Sequence, residues 1–207
     1  RLAFMEHVSE AEVEISVISV FTRRKFTWLW SMGRLFDAIS ALIGIRGEID
    51  YEGQAAVELE MAAYSCHCDE RLSSVIARSV SDEAILKDAE IYPYSIIEDE
   101  GMRIIKLRDL LQAIVEDLKQ GSPKAKISIK FHNTMAQMAN QMCQLIANET
   151  GINQVALSGG VFQNRLLLGK TVKLLENSGF QVFTHRQAPC NDGGISLGQV
   201  VIANFAK

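Results

Sequence analysis

The chain has 207 residues, of which 48% are hydrophobic and 22% are charged, and its formal net charge is −4. Such a composition is typical of a folded globular protein and excludes a disordered chain. The slightly negative charge gives no general attraction to nucleic acid or to anionic membranes, and the sequence contains no run of about 18 apolar residues that would predict a membrane span.

The first 30 residues are the least regular part of the sequence. Apolar residues alternate loosely over residues 13–21 and suggest a strand, which is followed by the basic run Arg23-Arg24-Lys25 and by aromatic residues. Basic residues beside aromatic ones can bind nucleic acid, but three charges are too few, so we interpret this segment as an exposed turn. Four glutamates within the first 14 residues argue against a signal peptide.

Two helices are predicted next. Ser31 is a suitable N-cap, apolar residues recur at spacings of three and four from Met32 onward, and Gly44 ends the pattern. Asp37 lies beside the apolar stripe, where its carboxylate could face a cleft or simply solvent. A second helix is predicted over residues 53–64.

A polar connection with some helix is expected over residues 65–90, and it contains the tripeptide Cys66-His67-Cys68. No second pair at zinc-site spacing follows, and adjacent residues of a helix point in different directions, so we do not expect a metal site here. We interpret the four cysteines of the chain as reduced thiols and expect a cytoplasmic protein.

A β-hairpin and two further helices are predicted in the middle of the chain. Residues 91–97 and 102–107 have the pattern of two strands joined by an acidic turn. Helices are expected over residues 109–119 and 124–149. His132 lies in the second of them, beside an apolar face, and we interpret this lone histidine as a structural residue rather than a ligand.

The last third of the chain alternates strands and helices. The expected elements are a strand at 155–157, a helix at 161–175, a strand at 179–184 and a closing helix from Ile195. This order predicts two parallel strands with a crossover helix, in which both strands end at the same edge of the sheet. The turn with Gly159 and Gly160 and the turn with Asp192 should therefore be neighbours.

Two features of these turns suggest ligand binding. Gly159 and Gly160 have no side chains that would keep a phosphate away from the backbone N–H groups at the start of a helix. Asp192 can hold a cation or a hydroxyl group. Glycine turns between a strand and a helix are also common in proteins that bind nothing, so the glycines alone leave both interpretations open.

Several segments, in the same order, resemble the C-terminal part of the HypF family of hydrogenase-maturation carbamoyltransferases. They are residues 31–38 (SMGRLFDA), 51–56 (YEGQAA), 131–134 (FHNT), 156–164 (ALSGGVFQN) and 191–199 (NDGGISLGQ). This part of HypF is similar to the TsaD family, which makes threonylcarbamoyl-adenosine in tRNA. The resemblance covers roughly residues 31–207, and several matches in order are far more specific than any one of them.

The resemblance implies the actin-like ATPase (ASKHA) fold, an α/β fold with two lobes around a nucleotide cleft. Mostly the C-terminal lobe, with added helices, is expected here. Residues 1–30 are then a remnant of the preceding lobe or a linker, and residues 31–207 a truncated TsaD-like nucleotide-binding carbamoyltransferase domain. We expect a C-terminal fragment that does not catalyse the reaction alone.

The same resemblance implies roles for individual residues. Gly159 and Gly160 would cradle the phosphate, and Asn164 would lie against the nucleotide. Asp37 would bind the ribose, and Asp192 would be a metal ligand. The adenosine side would be lined by Gly53, Gln54 and Glu58.

The reaction implied by the resemblance is a carbamoyl transfer. A HypF protein activates carbamoyl phosphate with ATP in a separate domain, and the domain resembled here passes the carbamoyl group from carbamoyl-adenylate to the C-terminal cysteine of HypE. The thiocarbamate then becomes a cyanide ligand of a nickel–iron hydrogenase. ATP or carbamoyl-adenylate is therefore the implied ligand, and HypE and the rest of the HypF chain are the implied partners.

A divalent metal, iron or zinc, is also implied and would polarise the carbonyl group. The family's other metal ligands are two histidines four residues apart, and the four histidines of this chain contain no such pair. No catalytic residue is assigned from the sequence.

Two other functions stay open at this point. A TsaD-like tRNA-modifying enzyme is disfavoured by Phe162-Gln163, by the segment 195–199 and by the lack of a basic surface. A nucleotide-binding module without catalytic activity would fit the missing histidine pair. The presence of such a pair in upstream sequence would favour the enzyme, and its absence there would favour the module.

Overall fold

The computed structural model describes residues 32–72, 90–99 and 102–205, without the side chains of residues 66–72, 99 and 102. The predicted strand at 13–21 and the basic run at 23–25 lie outside these ranges. The chain forms two compact units, Arg1–Leu59 and Glu60–Lys207, and the boundary falls within a helix. Among the described helices, none is both long enough and apolar enough to cross a membrane.

The first unit contains helix α1, Met32–Leu42, and the start of helix α2, Gln54–Leu72. The apolar spacing that predicted α1 places Phe36 and Ile39 in the core. The chain leaves the helix through Gly44, whose φ of 73° is in the left-handed region. The first predicted helix is confirmed.

Helix α2 is longer than the sequence analysis predicted. It continues to Leu72 instead of ending near residue 64. The sequence contains no glycine or proline between Gln54 and Pro93, so nothing in this stretch stops the helix at the polar residues that follow Tyr64.

A two-stranded antiparallel hairpin is found in the second unit, as predicted. Strand β1, Ser95–Asp99, pairs with strand β2, Met102–Lys106, with Ile97 opposite Ile104. The first strand begins four residues later than expected. The reason is that Tyr92 donates its backbone N–H to the Thr134 side chain instead of a strand, at 2.8 Å.

Two helices follow the hairpin. They are α3, Arg108–Lys119, and α4, Lys124–Thr150, and both agree with the predicted bounds to within a residue. Helix α4 ends at Gly151, which has a φ of 70° and donates its N–H to Ala147.

The side chain of Tyr92 joins the two helices. Its ring is completely buried, and its hydroxyl group donates to Asp117 of α3 at 2.7 Å. Lys130 of α4 lies 4.3 Å from the centre of the ring and 3.3 Å from the same carboxylate. Burial and the carboxylate both raise the pKa of the Tyr92 hydroxyl, which therefore stays a hydrogen-bond donor.

The C-terminal part has the predicted strand–helix–strand order. Strand β3, Gln154–Leu157, and strand β4, Gln181–Thr184, are parallel, and helix α5, Arg165–Asn177, connects them. One side of this pair packs on a core of Leu157, Leu175 and Phe180. Apolar residues that pack against this core are Cys143, Ala147, Val155, Phe162, Leu168, Val172 and Val182.

Helix α6, Ile195–Phe205, closes the described chain. It carries no charged residue, and its apolar side chains are exposed in the described part of the chain, with Phe205 at 79%. Its position confirms the predicted last element.

The core of α4 gives a first prediction. Replacing the fully buried Ile127 by alanine should lower the free energy of unfolding by about 2–5 kcal/mol, because it removes buried methyl groups and leaves a cavity. Ile146→Ala on the same helix is the control, since that side chain is 44% exposed and should cost less than about 1 kcal/mol. Urea unfolding of both variants measures the difference, and equal losses would contradict the assigned core.

Candidate functional site

The turn after β3 is built around Gly159. This residue has a φ of 110°, which a residue with a side chain adopts only with strain. A short 3₁₀ helix, Gly160–Gln163, follows, and its first bond runs from Phe162 N–H to the Gly159 carbonyl at 3.1 Å. The N–H groups of Gly160 and Val161 come before that bond, so they have no carbonyl partner inside the turn.

The second turn lies against the first. Gly159 N–H donates to the Cys190 carbonyl at 2.8 Å, and a Cβ atom on Gly160 would lie 3.8 Å from Cβ of Asn191. The prediction that the two turns are neighbours is confirmed. Both follow strands that end at the same edge of the parallel pair.

Local hydrogen bonds shape the second turn. Asn191 accepts the N–H of Gly193 with its side chain and the N–H of Gly194 with its carbonyl. A Cβ atom at Gly194 would come within 2.5 Å of the Pro189 carbonyl, so the turn has no space for a side chain there. Asp192 lies in the 3₁₀ turn Asp192–Gly194 with its carboxylate exposed.

Asn164 stands at the start of α5 as its N-cap. The α-helix does not start at residue 161, because Asn164 caps α5 and accepts Leu167 N–H at 2.8 Å. Its side-chain N–H group lies 3.0 Å from Nε2 of His132. Asn164 is 9% exposed, and both the oxygen and the nitrogen of its side chain have hydrogen-bond partners within the protein.

His132 is the structural histidine that the sequence predicted. It is completely buried, and Nδ1 lies 2.8 Å from the Ser128 carbonyl. A carbonyl oxygen only accepts, so Nδ1 carries the proton and Nε2 accepts from Asn164. Burial is the main reason that the pKa of His132 falls from 6.5 to about 4, and the imidazole is neutral at pH 7.

The sequence analysis missed a contact between Ser158 and His185. The Ser158 hydroxyl lies 2.9 Å from Nε2 of His185. Leu157 pairs with Thr184 in the parallel register, so the two polar residues are the next positions along β3 and β4. Their equivalent places after two predicted parallel strands were the signal that could have found the pair.

In the first unit, Asp37 has the features of a binding residue. It is half-buried, and its Oδ1 atom is buried without a hydrogen-bond partner among the described residues. Burial raises the pKa of this carboxyl, and a hydrogen bond from the backbone of Ala56 opposes the rise. An unpaired buried oxygen is costly, so this position is suited to a hydroxyl donor.

Glu58 and Gln54 already have partners in the same unit. Arg46 binds both carboxylate oxygens of Glu58, and the shortest of these contacts is 2.6 Å. This hydrogen bond lowers the pKa of Glu58. Gln54 donates to Glu58 at 3.0 Å and accepts the N–H of Asp50 at 2.7 Å.

Gly53 precedes Gln54 with a φ of 80°. This conformation explains why glycine stands at the entry to α2 without any reference to a ligand.

The described side chains do not complete the implied metal site. Among the side chains of residues 32–65, 90–98 and 103–205, no group of three histidine, cysteine, aspartate or glutamate residues could hold a metal ion. Asp192 is therefore not part of such a group within these ranges.

The chain belongs to a family of carbamoyltransferase domains. The family model for the second subdomain of the carbamoyltransferase Kae1-like domain matches residues 4–199. The predicted actin-like ATPase class of fold and the predicted HypF resemblance are both confirmed.

HypF proteins are among the similar proteins. The chain is 35% identical over 171 residues to carbamoyltransferase HypF of Synechocystis sp., covering 83% of this chain and 19% of that protein. A crystal structure of full-length HypF in the phosphate- and nucleotide-bound form matches with a TM-score of 0.75 and 41% identity, over 98% of this chain and 24% of that one. The chain thus spans about a fifth of the length of these relatives.

A tRNA N6-adenosine threonylcarbamoyltransferase of Prochlorococcus marinus is also similar. The identity is 26% over 175 residues, which is 84% of this chain and 45% of that protein. This match agrees with the relation between the two families that the sequence suggested.

The buried histidine predicts a specific dependence of stability on pH. Its pKa is lower in the folded chain than in the unfolded one, so the unfolded chain binds more protons between pH 6.5 and 4. His132 should therefore cost the fold about 3 kcal/mol as the pH falls through this window. Unfolding of the wild type and of His132→Gln from pH 7 to 4 measures this, because the variant lacks that part of the loss. The exposed His185→Gln is the control and should keep it.

The two glycines of the first turn should differ in their effect on stability. Gly159→Ala should lower the free energy of unfolding by about 1–3 kcal/mol, since its φ is 110°. Gly160→Ala should have little effect, because the added methyl group makes only an ordinary contact with Asn191. Thermal unfolding of both variants tests this, and a larger loss at Gly160 would contradict the described turn.

Proposed function

We propose that this chain is the nucleotide-binding C-terminal portion of a HypF-type carbamoyltransferase. The complete protein transfers the carbamoyl group of carbamoyl-adenylate to the thiol of the C-terminal cysteine of HypE. This step belongs to the synthesis of the cyanide ligands of nickel–iron hydrogenase. The observation that carries the proposal is the contact of the two turns at one edge of the parallel strand pair, beside open N–H groups.

The phosphate of the nucleotide binds at the first turn. Gly159 sets the direction of the chain, and Gly160 and Val161 offer N–H groups that no carbonyl of the turn uses. Gly160 has no side chain on the approach to these groups. The similar HypF structure in a phosphate- and nucleotide-bound form supports this assignment.

Asp37 is proposed to bind a ribose hydroxyl. Its buried Oδ1 lacks a partner among the described residues, and a hydroxyl donor would satisfy it. Gly53, Gln54 and Glu58 line the adenosine side. Because Arg46 and Gln54 already occupy Glu58, any contact of adenosine with that carboxylate shares these hydrogen bonds.

The carbamoyl transfer breaks one bond and forms another. The cysteine sulfur bonds to the carbamoyl carbon, the bond from that carbon to the phosphate oxygen breaks, and the thiol proton goes to solvent. Negative charge then grows on the phosphate of the departing AMP, and N–H groups fixed in advance by the turn stabilise it.

Asp192 supplies one ligand to the iron or zinc ion of the complete protein. The described side chains do not complete that site. We propose that the other ligands come from the rest of the longer chain. We place the reaction in the cytoplasm, with HypE and the remaining HypF domains as partners.

Transfer to tRNA is the weaker alternative. The HypF relatives are 28–35% identical, whereas the tRNA-modifying relative is 26% identical. A net charge of −4 also gives no basic surface for tRNA.

Calorimetric titration of the complete natural protein with AMP tests the nucleotide site. Gly160→Ala should weaken binding at least tenfold without loss of stability, because its methyl group lies where the phosphate approaches the backbone. Asp37→Asn should weaken binding by a similar factor, through loss of a hydrogen bond to a charged acceptor.

Gly169→Ala is the matched control for this titration. Gly169 lies in α5 with open space around it, so the same substitution there adds a methyl group away from the turn. Unchanged affinity in Gly160→Ala and Asp37→Asn, with measurable binding by the wild type, would rule out the proposed contacts.

A further inference from the structure

Ser158 and His185 form a polar pair that the proposed nucleotide contacts do not use. Nε2 of His185 lies 2.9 Å from the Ser158 hydroxyl oxygen. Both side chains are exposed, so their hydrogen bond adds little to stability in water.

The pair lies at the edge of the sheet at which the two turns meet. Ser158 directly precedes Gly159, and His185 follows β4 at the start of the connection to the second turn. Residues 182–188, which include His185, line an open depression. The pair therefore stands next to the N–H groups of Gly160 and Val161.

We propose that the Ser158 hydroxyl donates a hydrogen bond to the phosphate of the bound nucleotide and that His185 is the residue that holds this hydroxyl in position. The inference rests on the proposed function, in which the phosphate lies at the glycine turn. It adds a side-chain donor to a site otherwise made of backbone N–H groups.

The donors and acceptors of the pair are compatible with this role. An imidazole with a proton on Nε2 donates to the Ser158 oxygen, and the serine then keeps its own proton for an outside acceptor. A phosphate oxygen is such an acceptor, and the resulting hydrogen bond to a charged group is stronger than one between neutral groups. Ser158 touches the ligand, whereas His185 acts through Ser158 and is a positioning residue.

Titration of the complete natural protein with AMP and with adenosine tests the proposal. Ser158→Ala should weaken AMP binding about tenfold and leave adenosine binding unchanged, because adenosine has no phosphate. Ser158→Thr keeps the hydroxyl and should bind AMP nearly as the wild type does. His185→Ala should weaken AMP binding by a smaller factor, and His185→Gln, which keeps an N–H donor, should restore part of it.

A double variant separates positioning from direct contact. If His185 acts only through Ser158, the variant Ser158→Ala/His185→Ala should bind AMP no more weakly than Ser158→Ala. Ser178→Ala is the control, since Ser178 is an exposed serine whose hydroxyl binds Gln144 at 3.0 Å, at the other end of α5. It should change neither affinity.

The outcomes distinguish this inference from the proposed function. Unchanged AMP binding in Ser158→Ala, or an equal loss of AMP and adenosine binding, would overturn the inference while the nucleotide site stands. Additive losses in the double variant would overturn the positioning role of His185. A wild type that binds neither ligand would overturn the proposed function as well.

Discussion

The hydrogen bond from Gly159 N–H to the Cys190 carbonyl is the constraint on which the candidate site depends. It joins the turn after β3 to the turn that follows β4, and these turns are more than 30 residues apart in sequence. Gly159 has a φ of 110°, and in this conformation its N–H group points to the second turn. Gly159 therefore has a structural role. Its neighbour Gly160 has an ordinary backbone conformation and is available to a ligand.

A buried chain of hydrogen bonds holds Asn164, the residue that follows the 3₁₀ helix of the same turn. The Ser128 carbonyl accepts from His132, His132 accepts from Asn164, and Asn164 accepts from the first turn of α5. Each donor has one acceptor only if the imidazole is neutral, and burial keeps it neutral. Protonation of Nε2 would place two donors face to face and release the cap of α5, so the start of this helix depends on a histidine of α4.

Much of this arrangement could be predicted from the sequence, because it follows from local patterns. The alternation of strand, glycine turn and helix predicted the parallel pair and the meeting of both turns. The contacts of Tyr92, the cap at Asn164 and the pair Ser158 and His185 were missed. These contacts join residues that are distant in sequence or depend on which group accepts a particular N–H. The periodicity of apolar residues contains no signal for such contacts. The segment 131–134 is an example: Asn133 and Thr134 bind the backbone of residues 90 and 92, which only the fold reveals.

The residues that the sequence analysis assigned to the site differ in whether their polar atoms already have hydrogen-bond partners in the protein. Asn164 and Glu58 have protein partners, so a nucleotide that contacts them must share or replace existing hydrogen bonds. Asp37 has a buried oxygen without a partner among the described residues. A ligand that replaces an existing hydrogen bond gains little net free energy. A ligand that supplies a partner to a buried, unpaired oxygen recovers the free energy that its desolvation costs. In the proposed function, binding energy should therefore come from Asp37 in the first unit and from the open N–H groups of the glycine turn in the second, while Asn164 and Glu58 hold the backbone and side chains around them in place.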